Sequence, residues 1–414
     1  MSNSTKTILI NSRLLAILVL GFASGLPLAL TGATLQAWFT EANVSLKTIG
    51  TLSLLGIPYT LKFLWAPLMD HYGFSRLGKR KSWILLTQLA LVFSLLLISE
   101  MEPSIQAGSI GLVALMIAFF SASQDISVNA YTTDVLHQEE RGLGAAYTVF
   151  AYRIALLVSG GLALIFADYF GWKRTYEFMA LLMLFTMIPT YFSPRTIELK
   201  SSAQNVYQTM IQALADILQR EKIILILFFI IFYKFGDALA LALITNFLLH
   251  GLGFTLTEVG LAYKVVSFVA MILGGFVGGV ILTRWNIYRA LLVFGIAQAF
   301  SNLTFAALAM IGKDFYFMAV SVFIENFCSG LSTAALLAFM MSLCDHRFTA
   351  SQFALFSAVA SLGRVFLGPI AALMVDNLGW VQFFVWSFVI CFPGILLLMF
   401  LKDEVMYHAQ ATAD

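Results

Sequence analysis

The chain has 414 residues, 60% of them hydrophobic and 11% charged, with a mean hydropathy of +0.89. Soluble domains carry about 25% charged residues, so this composition excludes a water-soluble fold and implies an integral membrane protein. A net charge of +2 excludes a polyanionic partner, and three widely separated cysteines, Cys328, Cys344 and Cys391, exclude a disulfide framework or a thiolate metal site.

A helix crosses the hydrocarbon core with about 20 apolar residues. Residues 1–12 are largely polar, and the apolar run that follows is too long for a signal peptide, so the first helix is expected to be retained. In chain order, spans are expected near 13–39, 47–69, 82–100, 107–134, 142–168, 173–192, 223–248, 258–283, 286–311, 315–343, 350–376 and 380–401. The longest polar break is 193–222, where Val206, Met210, Leu214 and Ile217 recur at helical spacing and predict an amphipathic helix on the membrane surface. The expected organisation is a six-helix bundle over 1–192, a cytoplasmic linker over 193–222 and a second six-helix bundle over 223–414. Basic residues set the orientation. With both termini inside, the inner loops hold the run Arg76, Lys79, Arg80 and Lys81 together with Arg195, Arg220 and Arg284, while the outer side holds only Lys47, Lys173, Arg174 and Lys313.

The halves echo each other. Gly160, Asp168, Gly171 and Trp172 end span five, and Gly368, Asp376, Gly379 and Trp380 end span eleven at identical spacing. A parallel six-helix repeat is the layout of major facilitator transporters, whose substrate site lies between the halves near the bilayer midplane.

Several motifs point to packing or gating. Gly73 to Lys79 fits G-x-x-x-x-G-K but lacks the following Ser or Thr and joins two membrane helices, so it is not a nucleotide site. With Asp70 it resembles the major facilitator signature between helices two and three, with Ala66 and His71 as departures. That resemblance implies a cytoplasmic gate using Asp70, Arg76 and Arg80. Gly274 to Gly279 contains two overlapping G-x-x-x-G pairs, a helix-packing pattern. Pro27, Pro58, Pro369 and Pro393 fall inside spans, where a bend is tolerated.

Charges inside the spans carry the functional reading. Ser121, Asp125 and Asn129 share one face of span four, beside Gln124. Span seven holds Tyr233, Lys234 and Asp237, and span ten holds Glu325, Asn326 and Ser329. Further cations stand at Lys62, Arg153, Lys264 and Arg364. A charge at the bilayer centre costs about 2.5–3.5 kcal/mol on insertion scales, so these side chains face a partner or a polar interior. A desolvated carboxylate there can load and release a proton, which makes Asp125, Glu325 and Asp237 the expected coupling groups. Lys234 and Asp237 can equally neutralise each other, and Lys62 and Lys264 can snorkel. Arg153 and Arg364 lie about eleven and fourteen residues into matching spans, roughly 16–21 Å deep, where two guanidinium forks can clamp an anion or pair with carboxylates.

The segments "GFASGLPLALTGATLQAW", "KFLWAPLMD", "SASQD", "EERGLGAA", "YRIALLVSGGLAL", "YKFGDALA", "RALLVFGIAQAFSN", "ENFCSG" and "GRVFLGP" resemble the AmpG family of muropeptide permeases over nearly the whole length. The resemblance implies proton-driven import of N-acetylglucosaminyl-1,6-anhydro-N-acetylmuramyl peptides across the bacterial inner membrane, and a link to β-lactamase induction. Some members continue into further C-terminal membrane segments, whereas this chain ends at Asp414. For such a substrate Lys62, Lys234, Lys264, Arg153 and Arg364 would bind carboxylates. Gln124, Asn129 and Asn326 would meet polar groups, and Trp38 or Tyr233 would cover sugar faces. The alternative is a facilitator for another amphiphilic solute, such as a siderophore or a drug. No nucleophile–base or metal-ligand constellation stands out, so no enzyme activity, cofactor or metal is expected; the partners are substrate, protons and lipid around a monomer.

Overall fold

The computed structural model describes residues 11–66, 69, 77–136, 141–195, 211, 215–219, 221–344 and 349–411. Among these residues the chain is helical and contains no strand. Ten stretches are long and apolar enough to cross a membrane. Nine match expected spans one to one, from Ser12–Glu41 to Phe315–Ser342. The tenth, Leu355–Phe400, has 46 residues, about 69 Å of helix against a core about 30 Å thick. It breaks at Gly379, whose φ of 74° and ψ of 170° repeat those of Gly171, 80° and 165°, between Ala163–Phe170 and Trp172–Phe192. An L side chain is strained in that conformation, so the glycine ends one helix and lets the next begin at Trp172 or Trp380. The repeated Gly–Trp pair is therefore a repeated backbone break, and the tenth stretch is two expected spans.

The remaining expected span, 47–69, is helical but fragmented. Leu46–Thr51 gives way to the 3-10 turn Leu52–Gly56, then Ile57–Leu61 and the 3-10 turn Lys62–Leu64. Pro58 sits in the first turn of Ile57–Leu61, and Pro393 in that of Phe392–Phe400, so both mark helix breaks. Pro27 and Pro369 lie inside helices, as does Pro189 in Trp172–Phe192. Asp70 and Arg76 lie outside the described residues, as do Val206, Met210 and Leu214 of the expected surface helix. Ile217, from the same helix, is buried against Ile223 and Ile226.

The chain forms two compact units, Met1–Val44 with Leu55–Val206, and Ser45–Leu54 with Tyr207–Asp414. In the first unit Ser12–Thr31 starts with Asn11, whose side chain accepts from the Arg13 amide at 3.1 Å. This helix packs on Arg141–Leu156 through Gly21 and Gly25, where an added Cβ would come within 2.8 Å of the Thr148 carbonyl and 2.6 Å of the Tyr152 carbonyl. In the second unit Asp314 caps Phe315–Ser342 and Asn286 caps Ile287–Ile311, each accepting from a backbone amide at 2.8 Å. Thr255 and Glu258 form a reciprocal capping box. Three π-helical turns, Leu157–Leu162, Phe247–Gly251 and Val259–Val265, interrupt the α pattern. In the first, Ser159 offers its carbonyl to the Thr34 hydroxyl at 2.6 Å.

Of the two glycine pairs in Val266–Leu282, Gly274 and Gly278 face Phe315–Ser342, and Gly275 and Gly279 do not. A Cβ on Gly330 would stand 2.6 Å from the Met271 carbonyl oxygen and 2.7 Å from the Gly275 nitrogen, and one on Gly274 would collide with the Phe327 backbone. A Cβ on Gly279 meets nothing within 4 Å. Gly330→Ala should therefore cost about 1–3 kcal/mol by overpacking. Gly279→Ala should be neutral or gain up to about 1 kcal/mol from helix propensity. Thermal unfolding in detergent distinguishes the two; equal melting would contradict the packing role.

Candidate functional site

Each unit buries one polar cluster. In the first, Pro103–Val135 carries Asp125, and the short turn Lys62–Leu64 brings Lys62 to it. Lys62 Nζ stands 3.5 Å from Asp125 Oδ2, with side chains 34% and 12% exposed. The Tyr59 hydroxyl lies among Ser121, Asp125 and Tyr152, and Ser24 lies beside Asp125. Among the described residues, Asp125 Oδ1, Ser24 Oγ, Ser121 Oγ, the Tyr59 hydroxyl and both amide atoms of Gln124 make no hydrogen bond within standard geometry. Buried polar atoms are normally paired. Polar atoms gathered around one long ion pair give this unit groups able to bind a polar ligand or a proton.

The second cluster is tighter. Span seven breaks at Lys234, whose φ of −105° and ψ of 5° separate Ile223–Tyr233 from Phe235–Ala242. The break puts Asp237 in the first turn of the following helix, where the dipole favours an anion. Lys234 Nζ donates to Ser332 Oγ at 2.7 Å, to the Ser329 hydroxyl and carbonyl at 3.2 Å, and to Asp237 Oδ2 at 3.3 Å. Asp237 also accepts from Gln298 Nε2 at 3.1 Å and from the Ser329 hydroxyl at 3.2 Å. Glu325 is 0% exposed with Asp237, Lys234 and Gln298 as its polar neighbours, yet neither carboxyl oxygen makes a hydrogen bond within standard geometry. One ammonium thus faces two carboxyl groups. The three are neutral together with one proton bound and carry one negative charge without it.

The other sequence-predicted residues are dispersed. Arg153 is half-buried in Arg141–Leu156, and Arg364 is exposed in Thr349–Ile390. Lys264 lies in the π-helical turn Val259–Val265 with its ammonium 4.5 Å from the Tyr263 ring centroid. Asn129 is exposed. Asn326 donates to the Val322 carbonyl of its own helix at 2.9 Å. Tyr233 is buried in the hydrophobic cluster with Phe229 and Phe294, and its hydroxyl donates to the Leu291 carbonyl at 2.9 Å. Trp38 is buried too, stacked on Trp172 with ring centroids 5.9 Å apart and tilted against Tyr176 at 5.1 Å. Arg80 Nε pairs with Asp134 at 3.2 Å.

Sequence reasoning passed over Gln298, Ser332, Tyr59 and Ser24. Gln298, with Asn302 one turn on in "GIAQAFSN", was the legible one, since an amide in an apolar helix has to find a partner. Lys81 also has a place of its own: it is buried and donates to the carbonyls of Tyr191 and Ser193 at 2.8 and 2.7 Å, capping the end of Trp172–Phe192.

Comparisons find relatives of this sequence and solved structures with this fold. The model of the Major Facilitator Superfamily matches residues 14–351 and 227–413. The anhydromuropeptide permease of Escherichia coli strain K12 is 43% identical over 408 residues, covering 98% of this chain and 83% of that protein. A putative transporter AmpG 4 of Rickettsia conorii is 31% identical, covering 95% and 97% of the two chains. Among solved structures, a D-xylose-proton symporter superposes with a TM-score of 0.72 at 13% identity, over 94% of this chain and 96% of that one. A bacterial homologue of the lysosomal transporter Spinster gives 0.72 at 13% identity, over 99% of each chain. These two share the fold alone. Two helical units with a repeated Gly–Trp break, a buried polar cluster in each and identity along the whole length place this multi-pass membrane protein in the AmpG muropeptide permease family of the Major Facilitator Superfamily.

Proposed function

We propose that the chain imports anhydromuropeptides across the bacterial inner membrane by alternating access, driven by protons and for reuse of cell-wall fragments. The observation that carries the substrate assignment is the 43% identity to the Escherichia coli permease over 98% of this chain. Proton coupling is supported by the two clusters. An anhydromuropeptide brings peptide carboxylates, and Lys62, one-third exposed and 3.5 Å from Asp125, can exchange Asp125 for a substrate carboxylate. Asp125, left without its cation in a desolvated setting, then takes a proton. The ion pair thus links substrate binding to proton binding. In the second unit Glu325 carries the proton that balances Asp237 and Lys234. Arg153 and Arg364, one in each unit, bind anionic groups of the substrate, each with a planar fork that matches a carboxylate. Tyr233 and Trp38 have no place in this reading, because their rings are committed to packing.

Uptake of labelled anhydromuropeptide into inside-acid-free vesicles under an imposed proton gradient tests the proposal. Accumulation should be uphill and should collapse on adding a protonophore. Uptake of a siderophore or drug in place of the muropeptide would overturn the substrate assignment. Uphill uptake that survives the protonophore would overturn the coupling.

A further inference from the structure

The Lys234 ammonium sits in a cage of oxygens supplied by two helices. Ser332 Oγ stands 2.7 Å from its nitrogen, Ser329 Oγ and the Ser329 carbonyl 3.2 Å, and Asp237 Oδ2 3.3 Å. Four acceptors thus face an ammonium that has three protons to give. Ser329 and Ser332 are three residues apart on Phe315–Ser342, which puts them on one face of that helix. Asp237 comes from the first turn of Phe235–Ala242.

The hydroxyl protons of the cage are committed away from the lysine. Ser329 Oγ donates to Asp237 Oδ2 at 3.2 Å, and Ser332 Oγ to the Ser329 carbonyl at 3.1 Å or to Gln298 Oε1 at 3.4 Å. Both hydroxyls therefore turn lone pairs to the ammonium. Gln298 Nε2 holds the other carboxylate oxygen, Asp237 Oδ1, at 3.1 Å and so fixes the carboxylate that faces the cation. Asp237, Ser329, Ser332 and Gln298 are 7%, 5%, 1% and 2% exposed. A buried carboxylate, two hydroxyls and a carbonyl aimed at one point can replace the hydration shell of a monovalent cation. Here the cation arrives on a four-carbon stem, so the cage is filled without an ion from solution.

We propose that Asp237, Ser329 and Ser332 form a site for a compact monovalent cation, which this chain closes with its own Lys234, and that removing the lysine head opens the site to a free ion. An ammonium ion matches it best, because it repeats the Lys234 head group and makes hydrogen bonds of the same lengths. Choline carries the same charge but has no N–H to donate and is too bulky for the cage, so fit and donors are the discriminating features, with charge held constant.

Thermal unfolding of the full chain carrying Lys234→Ala, in detergent with ammonium chloride or choline chloride at equal ionic strength, tests this. The parent should melt alike in the two salts, because its site is filled. The variant should melt higher in ammonium; at ten times the dissociation constant the folding equilibrium shifts about elevenfold. Lys234→Ala with Ser332→Ala loses the nearest oxygen and should respond far less. Lys234→Ala with Glu325→Gln keeps the cage, removes the second carboxyl group and supplies the same measurement where the single variant is too unstable to purify. Equal melting of both lysine variants in the two salts overturns the proposal, as does failure to recover either one folded in ammonium. An undiminished response after Ser332→Ala, or an ammonium response in the parent, places the ion elsewhere and overturns it too. The assay contains neither muropeptide nor a proton gradient, so its result is independent of the proposed import.

Discussion

Asp125→Asn is expected to abolish uphill uptake while leaving exchange of substrate across the membrane intact. The amide has nearly the shape of the acid and still fits beside Ser24, Ser121 and Tyr59. It cannot take a proton, and it no longer holds Lys62 by charge, so substrate carboxylates bind without summoning a proton. One elementary charge moved through 100 mV is worth about 2.3 kcal/mol, close to 50-fold in accumulation. The variant should lose that factor and equilibrate. Uptake against a gradient at the parental ratio would remove Asp125 from the coupling mechanism, and loss of exchange as well would make it a structural residue.

Lys234→Met should have the largest effect on stability. Among the described residues it strips from Asp237 the one cation within bonding distance and leaves two carboxyl groups, Asp237 and Glu325, buried together. Breaking a buried ion pair from one side costs about 3–5 kcal/mol. The hydroxyls of Ser329 and Ser332 lose their partner at the same time. The double variant Lys234→Met with Asp237→Asn should recover most of the loss, because no uncompensated charge remains. Thermal unfolding in detergent reads both. If the double variant melts no higher than the single one, the loss comes from packing at the helix break.

The fold was largely legible because hydropathy reports which segments leave water. Span seven was expected at 223–248 and runs Ile223–Gly251. The Gly–Trp echo was legible because a positive φ admits few residues other than glycine. Span two was read as one helix, and its fragmentation was not anticipated. Leucines, with Ile49, Ile57 and Phe63, keep the segment around Gly50, Gly56 and Pro58 apolar whatever its backbone does.

The site was legible as a set of charged residues and not as a set of contacts. Periodicity put Lys234 and Asp237 on one helix three residues apart, and they do pair. Nothing local joins Lys62 to Asp125, 63 positions away, or Gln298 to Asp237, 61 away. Those partners are chosen by helix packing. Tyr233 shows the same limit from the other side. It neighbours Lys234 in sequence, yet the helix break turns its ring into the cluster around Phe229, where its hydroxyl is used by Leu291. Asn326, beside Glu325, is likewise taken up by its own helix.

In this mechanism substrate and protons enter together. Proteoliposomes holding the purified chain and a trapped pH-sensitive dye, with no imposed gradient, test it on addition of anhydromuropeptide. The lumen should acidify as substrate enters, and Asp125→Asn, which cannot take a proton, should admit substrate without acidification. Entry of substrate into parental vesicles with no change in lumenal pH would contradict it.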